Sequence, residues 1–291
     1  MNNMAEHVTR SMWTSWLENQ WGTGHHAWAV VDAAAVLAST TRQLLDRCSP
    51  CVNLLTHRTT DEDALAVAPR LIQLGPSHCP VVIERLWLNQ PADEPAMFFV
   101  SSSLDAQALE ASLRRCVRAA LPDGDVMLFR WWDARIWWAL QQLTEHQHPD
   151  VQPLLGHFTS SLFLARDGEA CVVAHTPLCF NPEAESIDLK LNQPTCDRLL
   201  DLGEADAVLG ICREEYPGAL EAVLPERRHA LACGQIDWAM DAGFSAPHDH
   251  ALALRIAAEL GHDWHQQPEW LGVVDRARSQ GQTLLAAIGA M

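Results

Sequence analysis

The stretch that most constrains the fold is 126–140, VMLFRWWDARIWWAL, where four of the 12 tryptophans meet one Arg-Asp-Arg set in a dense apolar run. Residues 126–132 are short and apolar and follow the turn signal Pro122-Asp123-Gly124, a pattern that predicts a strand buried on both faces. Asp133 then stands where a helix N-cap belongs, because a carboxylate there accepts the orphan N–H groups of a first turn. Ile136, Leu140 and Leu143 repeat at i, i+4 and i+7 with Trp137 alongside, which predicts a helix with one broad apolar face. Such a run must be covered on every side, so the rest of the chain has to supply layers around it.

The segments before it do so by alternating strand and helix patterns. An amphipathic first helix is expected from Val8, Met12 and Trp16, with Trp13 and Leu17 beside them, ending at Trp21-Gly22-Thr23-Gly24. Residues 26–34, 51–57, 70–74 and 96–101 read as strands, the first closing on Asp32 before a helical stretch at 35–45. Residues 81–88 fit either state. Ser103 or Asp105 can cap a helix at 106–120, and Arg114, Arg115 and Arg118 near its end would complement the helix dipole. Strands alternating with helices predict a layered α/β lobe.

From residue 145 the composition turns polar, EHQHPDVQP, and suggests a lobe boundary. Beyond it, residues 160–165 and 170–175 read as a hairpin about Arg166-Asp167-Gly168, and 187–191 as a further strand. After Pro194 only helical patterns follow, at 195–202, 204–212, 217–224, 225–241, 247–261 and 270–288, punctuated by proline and glycine. The expected architecture is an α/β (α+β) N-terminal lobe with a mixed sheet flanked by helices over 1–150. A mainly α-helical C-terminal lobe over 151–291 follows it, with short strands first.

Composition narrows the class. No run approaches the ~18 uninterrupted apolar residues of a membrane span, and no secretory leader pattern is visible, so a cytoplasmic, soluble protein is expected. Nine cysteines, an odd number, read as reduced and mostly buried. A formal charge of −17 with Lys190 as the only lysine argues against nucleic acid or an anionic membrane as partner, since both need a basic patch.

Among candidate chemical groups, His248-Asp249-His250 and His262-Asp263-His265 carry ligand types suited to zinc or a di-metal pair. Their positions after Pro247 and Gly261 also fit capping and turn formation, and their spacing matches no helical metal motif, so no metal or other cofactor is expected. A metal-dependent hydrolase using His248, Asp249, His262 and Asp263 stands as the alternative. Cys48 and Cys51 have CxxC spacing but lack a second pair. No G-x-S-x-G, G-x-x-x-x-G-K-[ST] or H-E-x-x-H pattern is present, which removes the commonest hydrolase, nucleotide and zinc-protease readings. Arg130, Asp133 and Arg135, with Asp32 as a further partner, read as a structural ion-pair network of the core, the alternative being a catalytic acid-base cluster. Trp264 and Trp270, set among polar residues near a helix boundary, are expected to be partly exposed anchors for another protein.

The order WAVVDAA (28–34), PRLIQL (69–74), AMFFVSSSLDAQALEASLRRCVRAALPDG (96–124) and VMLFRWWDARIW (126–137) resembles domain of unknown function 4123, a family of type VI secretion effector chaperones or adaptors. The match to the segment F-R-x-Y-D-P-R falls on Phe129, Arg130, Asp133 and Arg135, with Trp132 in place of tyrosine, Ala134 in place of proline, and Ala33 for the glycine after Asp32. The resemblance covers roughly 27–143 and, more weakly, the helical stretch 234–270. It implies a non-enzymatic, cytoplasmic, bacterial protein that binds a toxic effector and promotes its loading onto the spike (VgrG-type) protein. A structural interaction domain with no secretion role remains the other alternative.

Overall fold

The computed structural model describes residues 2–36, 39–48, 50–56, 58–76, 80–143, 147–178 and 189–289. Its strands are β1 (His26–Val31), β2 (Cys51–Asn53), β3 (Arg70–Leu74), β4 (Met97–Ser102), β5 (Arg118–Ala120), β6 (Val126–Leu128), β7 (Ser160–Leu164), β8 (Ala170–Ala174) and β9 (Leu189–Lys190). Helices α1 to α7 are Asn2–Gly22, Ser39–Asp46, Glu62–Ala66, Val81–Asn89, Ala106–Arg115, Ala134–Gln141 and Gln152–Leu155. Helices α8 to α12 are Gln193–Glu215, Pro225–Asp241, Pro247–Leu260, Pro268–Gln280 and Leu284–Gly289. The chain forms two compact units, one of residues 1–165 with 169–201 and one of residues 166–168 with 202–291. Among the described residues no helix is long and apolar enough to cross a membrane.

The first unit is built on a six-stranded sheet in the order β2-β3-β1-β4-β7-β8, every neighbour antiparallel. β1 lies inside it, with Ala29 opposite both Ile72 and Phe99. Alternation along β4 shows how the sheet is covered. Phe99 points to one face, where it meets Trp13 and Trp16 of α1 at 5.9 and 6.1 Å and Trp87 of α4 at 5.0 Å. Phe98 points to the other and stacks on Trp137 of α6 at 4.5 Å, with Trp131 and Phe158 packed beyond. Helices on both faces explain why β1 and β4 are apolar nearly throughout and lack the inside-outside alternation of a half-exposed sheet. Each such buried aromatic contributes roughly 1.5–3 kcal/mol in apolar transfer.

A smaller sheet, β6-β5-β9, joins one antiparallel and one parallel pair, and the mixed pairing expected from the sequence resides there. It corrects two expectations. The helix expected at 106–120 stops at Arg115, and Arg118 lies in β5, so only Arg114 and Arg115 complement the dipole. The strand expected at 126–132 is confined to β6, where Val126, Met127 and Leu128 are 43, 45 and 48% exposed. β6 is an edge strand with one partner, and burial begins only at Phe129, where the chain turns through Trp131 and Trp132 into α6.

Other elements stand closer to expectation. In α1 the buried stripe runs through Trp13, Trp16, Leu17 and Gln20, and Met12 lies at its margin. The ambiguous 81–88 is helix α4. Asp105, not Ser103, caps α5 by accepting the Ala108 N–H at 2.9 Å. The hairpin forms as expected, and because β7 pairs with β4 it continues the first sheet, so the first unit extends past residue 150 to Asp201. The strand expected at 51–57 ends at Asn53, and its residue 57 lies outside the described residues, as do 187–188 of the strand expected at 187–191 and 144–146 at the expected boundary.

The second unit is helical. Residues 195–212 form part of the single helix α8, which runs through Gly203 and Gly210, while 217–224, expected to be helical, is a series of turns. The helix expected at 270–288 is interrupted by Gly281, whose left-handed backbone (φ 61°) ends α11 with its N–H on the Ala277 and Arg278 carbonyls. The centre of this unit is Trp264, flanked by Trp238 at 4.9 Å and Trp270 at 5.1 Å.

Candidate functional site

Asp32 is delivered by the end of β1 and Arg130 and Asp133 by the turn before α6, and the structure brings all four predicted network residues together. Arg130 Nη2 donates to Asp32 Oδ2 at 2.7 Å and stands 3.5 Å from Asp133 Oδ2. Arg135 grips Asp133 with two donors, Nε to Oδ1 at 3.0 Å and Nη2 to Oδ2 at 2.8 Å. Asp133 also accepts the Arg135 backbone N–H at 3.0 Å, the N-cap anticipated from its position, and Asp32 accepts that of Ala34 at 3.1 Å.

Both carboxylates are buried, at 2 and 4% exposure, while the Arg130 and Arg135 side chains keep 43 and 33% of their surface. Their electrostatics differ. Burial pushes the Asp133 carboxyl up, but the hydrogen bonds and charge of Arg135 more than reverse this and hold it below the usual carboxylate range. Burial outweighs Arg130 at Asp32, whose carboxyl is held above that range. Every carboxylate oxygen of Asp133 is engaged by a guanidinium, so the group is committed to charge pairing and not poised for proton transfer.

All four residues of this network line a cleft of about 1020 Å³. Its walls come from the turn after β1, from α2 and from α4 with the loop to Ala96. Gln90 shapes that loop by accepting the N–H groups of Ala96 and Met97, each at 3.0 Å. The lining is largely apolar, and two of its residues, Leu44 and Val81, are 48 and 62% exposed. Arg47 and Arg85, both exposed, stand on the rim. None of these last four was singled out from sequence. α2 carries an amphipathic pattern that signals a buried Leu45, yet which exposed neighbours share a cleft depends on the antiparallel order that places β1 between β3 and β4.

The two His-Asp groups of the second unit do not converge. Asp249 lies in the first turn and His262 just past the last turn of α10, a 14-residue helix, which separates them by about 20 Å. Each has a local role. Asp249 Oδ1 accepts the Leu284 N–H at 2.9 Å and so caps α12 rather than its own helix, whose N-cap is Ala246. His248 Nδ1 lies 2.7 Å from Glu215 Oε1, and the buried His250 turns Nε2 to the Phe244 carbonyl at 2.8 Å. Buried Gln235 donates to the His262 carbonyl at 3.1 Å and accepts from the Trp264 indole at 2.9 Å.

That last bond goes with a correction. Trp264 is fully buried, its indole enclosed by aromatic neighbours and its N–H satisfied by Gln235, so it is a core residue and not an exposed anchor. Trp270 is half-buried, the partial exposure expected of it. The CxxC pair carries no activated thiol: burial pushes Cys48 up and Cys51 up to about 11, opposite to the direction a redox cysteine needs. Ser49 between them lies outside the described residues.

No curated protein and no solved structure matches the chain. A family model does, over residues 27–150, a stretch that opens with β1 and holds the ion-pair network and the whole lining of the cleft. The β7-β8 hairpin that completes its sheet lies beyond the matched residues. The matching model is that of the family described as domain of unknown function (DUF4123), so it is residues 27–150, less than half of the chain, that are similar to this family.

Proposed function

We propose that the protein is a non-enzymatic adaptor, a chaperone that binds a type VI secretion effector in the bacterial cytoplasm and promotes its loading onto the spike protein. The observation that carries this reading is an open, apolar cleft in the region similar to DUF4123, whose buried carboxylates, Asp32 and Asp133, are tied to arginines. A cleft of that kind supplies apolar binding surface while its two buried carboxylates are taken up by arginines, which suits capture of another polypeptide. The formal charge of −17 fits a protein partner better than nucleic acid or an anionic membrane. Deleting the gene is expected to stop delivery of the effector into neighbouring cells while the spike protein is still released; undiminished delivery would sink the proposal.

A further inference from the structure

We infer that the cleft of the first unit takes a short segment of the client protein that presents carboxylates beside apolar side chains. The inference rests on the adaptor reading and adds the chemistry of what is bound. Its basis is a local charge balance opposite to that of the whole molecule. The cleft is lined by Arg47, Arg85, Arg130 and Arg135 against Asp32, Asp133 and Glu94. Asp32 and Asp133 are engaged by Arg130 and Arg135 at 2.7 and 2.8 Å. Arg47 and Arg85 make no ion pair among the described residues and are exposed on the rim. In a chain of net charge −17, with 20 basic against 37 acidic residues, exposed guanidinium groups at the mouth of an apolar groove mark where an anionic group is attracted and not repelled.

Leu44 and Val81, 48 and 62% exposed, present apolar surface within the same cleft. A segment laid along it covers these side chains while its carboxylates reach Arg47 and Arg85. A guanidinium presents a fork that a carboxylate meets with two parallel hydrogen bonds, which selects Asp, Glu or a chain terminus over a neutral polar group. A basic segment is disfavoured at the rim, although the rest of the acidic surface would attract it.

The test selects short random peptides displayed on phage against the full chain. Enriched sequences are expected to carry Asp or Glu near Leu, Ile or Phe, and R47E/R85E is expected to weaken binding of those peptides by about tenfold, the scale of two exposed ion pairs reversed in sign. Val81→Asp, also on the surface, is expected to weaken them too, with thermal unfolding showing that both variants stay folded. Enrichment of basic peptides on the wild-type chain, or acidic peptides indifferent to R47E/R85E, would overturn the inference. Recovery of the effector from cells separates this from the adaptor reading: an effector held equally by wild type and R47E/R85E removes the cleft assignment alone, whereas a wild-type chain that recovers none removes the reading on which it rests.

Discussion

At the scale of single residues, Asp32 and Asp133 look alike in sequence, each an aspartate at the end of an apolar run, and differ in what burial does to them. The charged form of Asp133 is favoured by folding and that of Asp32 is disfavoured, as their carboxyls lie below and above the usual range. A neutral isostere should therefore be tolerated at 32 and not at 133. Asp133→Ala is expected to lower stability by about 1 kcal/mol or more through the lost cap alone. Asp32→Asn keeps an acceptor for the Ala34 N–H and is expected to cost less than Asp133→Asn. Urea unfolding of the variants checks this; equal losses at 32 and 133 would show that the two carboxylates are held alike. Both roles were legible in part, since a capping position and an Arg-Asp-Arg spacing can be read locally. The opposite directions of the two carboxyls follow from the single guanidinium near Asp32 and the pair around Asp133, which no local pattern displays.

At the scale of elements, the sequence was most readable where one feature decides the outcome. β3 and α9 match their expected bounds, and a proline at the first position starts α9, α10 and α11. It was least readable where an apolar run had two ways to be satisfied. Residues 126–132 have the composition of a buried strand, but half of that apolarity is spent in the turn that seats Phe129, Trp131 and Trp132, leaving β6 exposed. Trp264 shows the reverse case. Its polar neighbours suggested a surface position, yet the short 3-10 turn Trp264–Gln266 aims the indole inward onto Gln235. Trp264→Ala is accordingly expected to destabilise the second unit by roughly 3–5 kcal/mol, whereas loss of an exposed anchor would leave the unfolding midpoint nearly unchanged. Calorimetry distinguishes the two.

At the scale of the whole molecule, the layered plan could be read from the alternation of patterns, but the cleft could not, because its walls come from segments around residues 32–48, 80–96 and 130–135. The acid response of the fold is likewise a sum over distant groups. Burial pushes His157 and His175 down to about 4, with Arg115 assisting at His157. Between the ordinary histidine range and about 4 the unfolded chain takes up protons that the folded chain refuses, so stability falls as pH falls through that window. Asp133 adds to the loss at lower pH and Asp32 opposes it. The thermal midpoint is expected to drop between about pH 7 and about pH 5, and His175→Gln to flatten that drop; a midpoint that held steady or rose would contradict the burial of these rings. The central claim is nevertheless about partners. Its most direct measurement is purification of the tagged chain from cells that carry the gene, followed by identification of what comes with it: the account predicts a type VI effector together with the spike protein, and recovery of neither would contradict it.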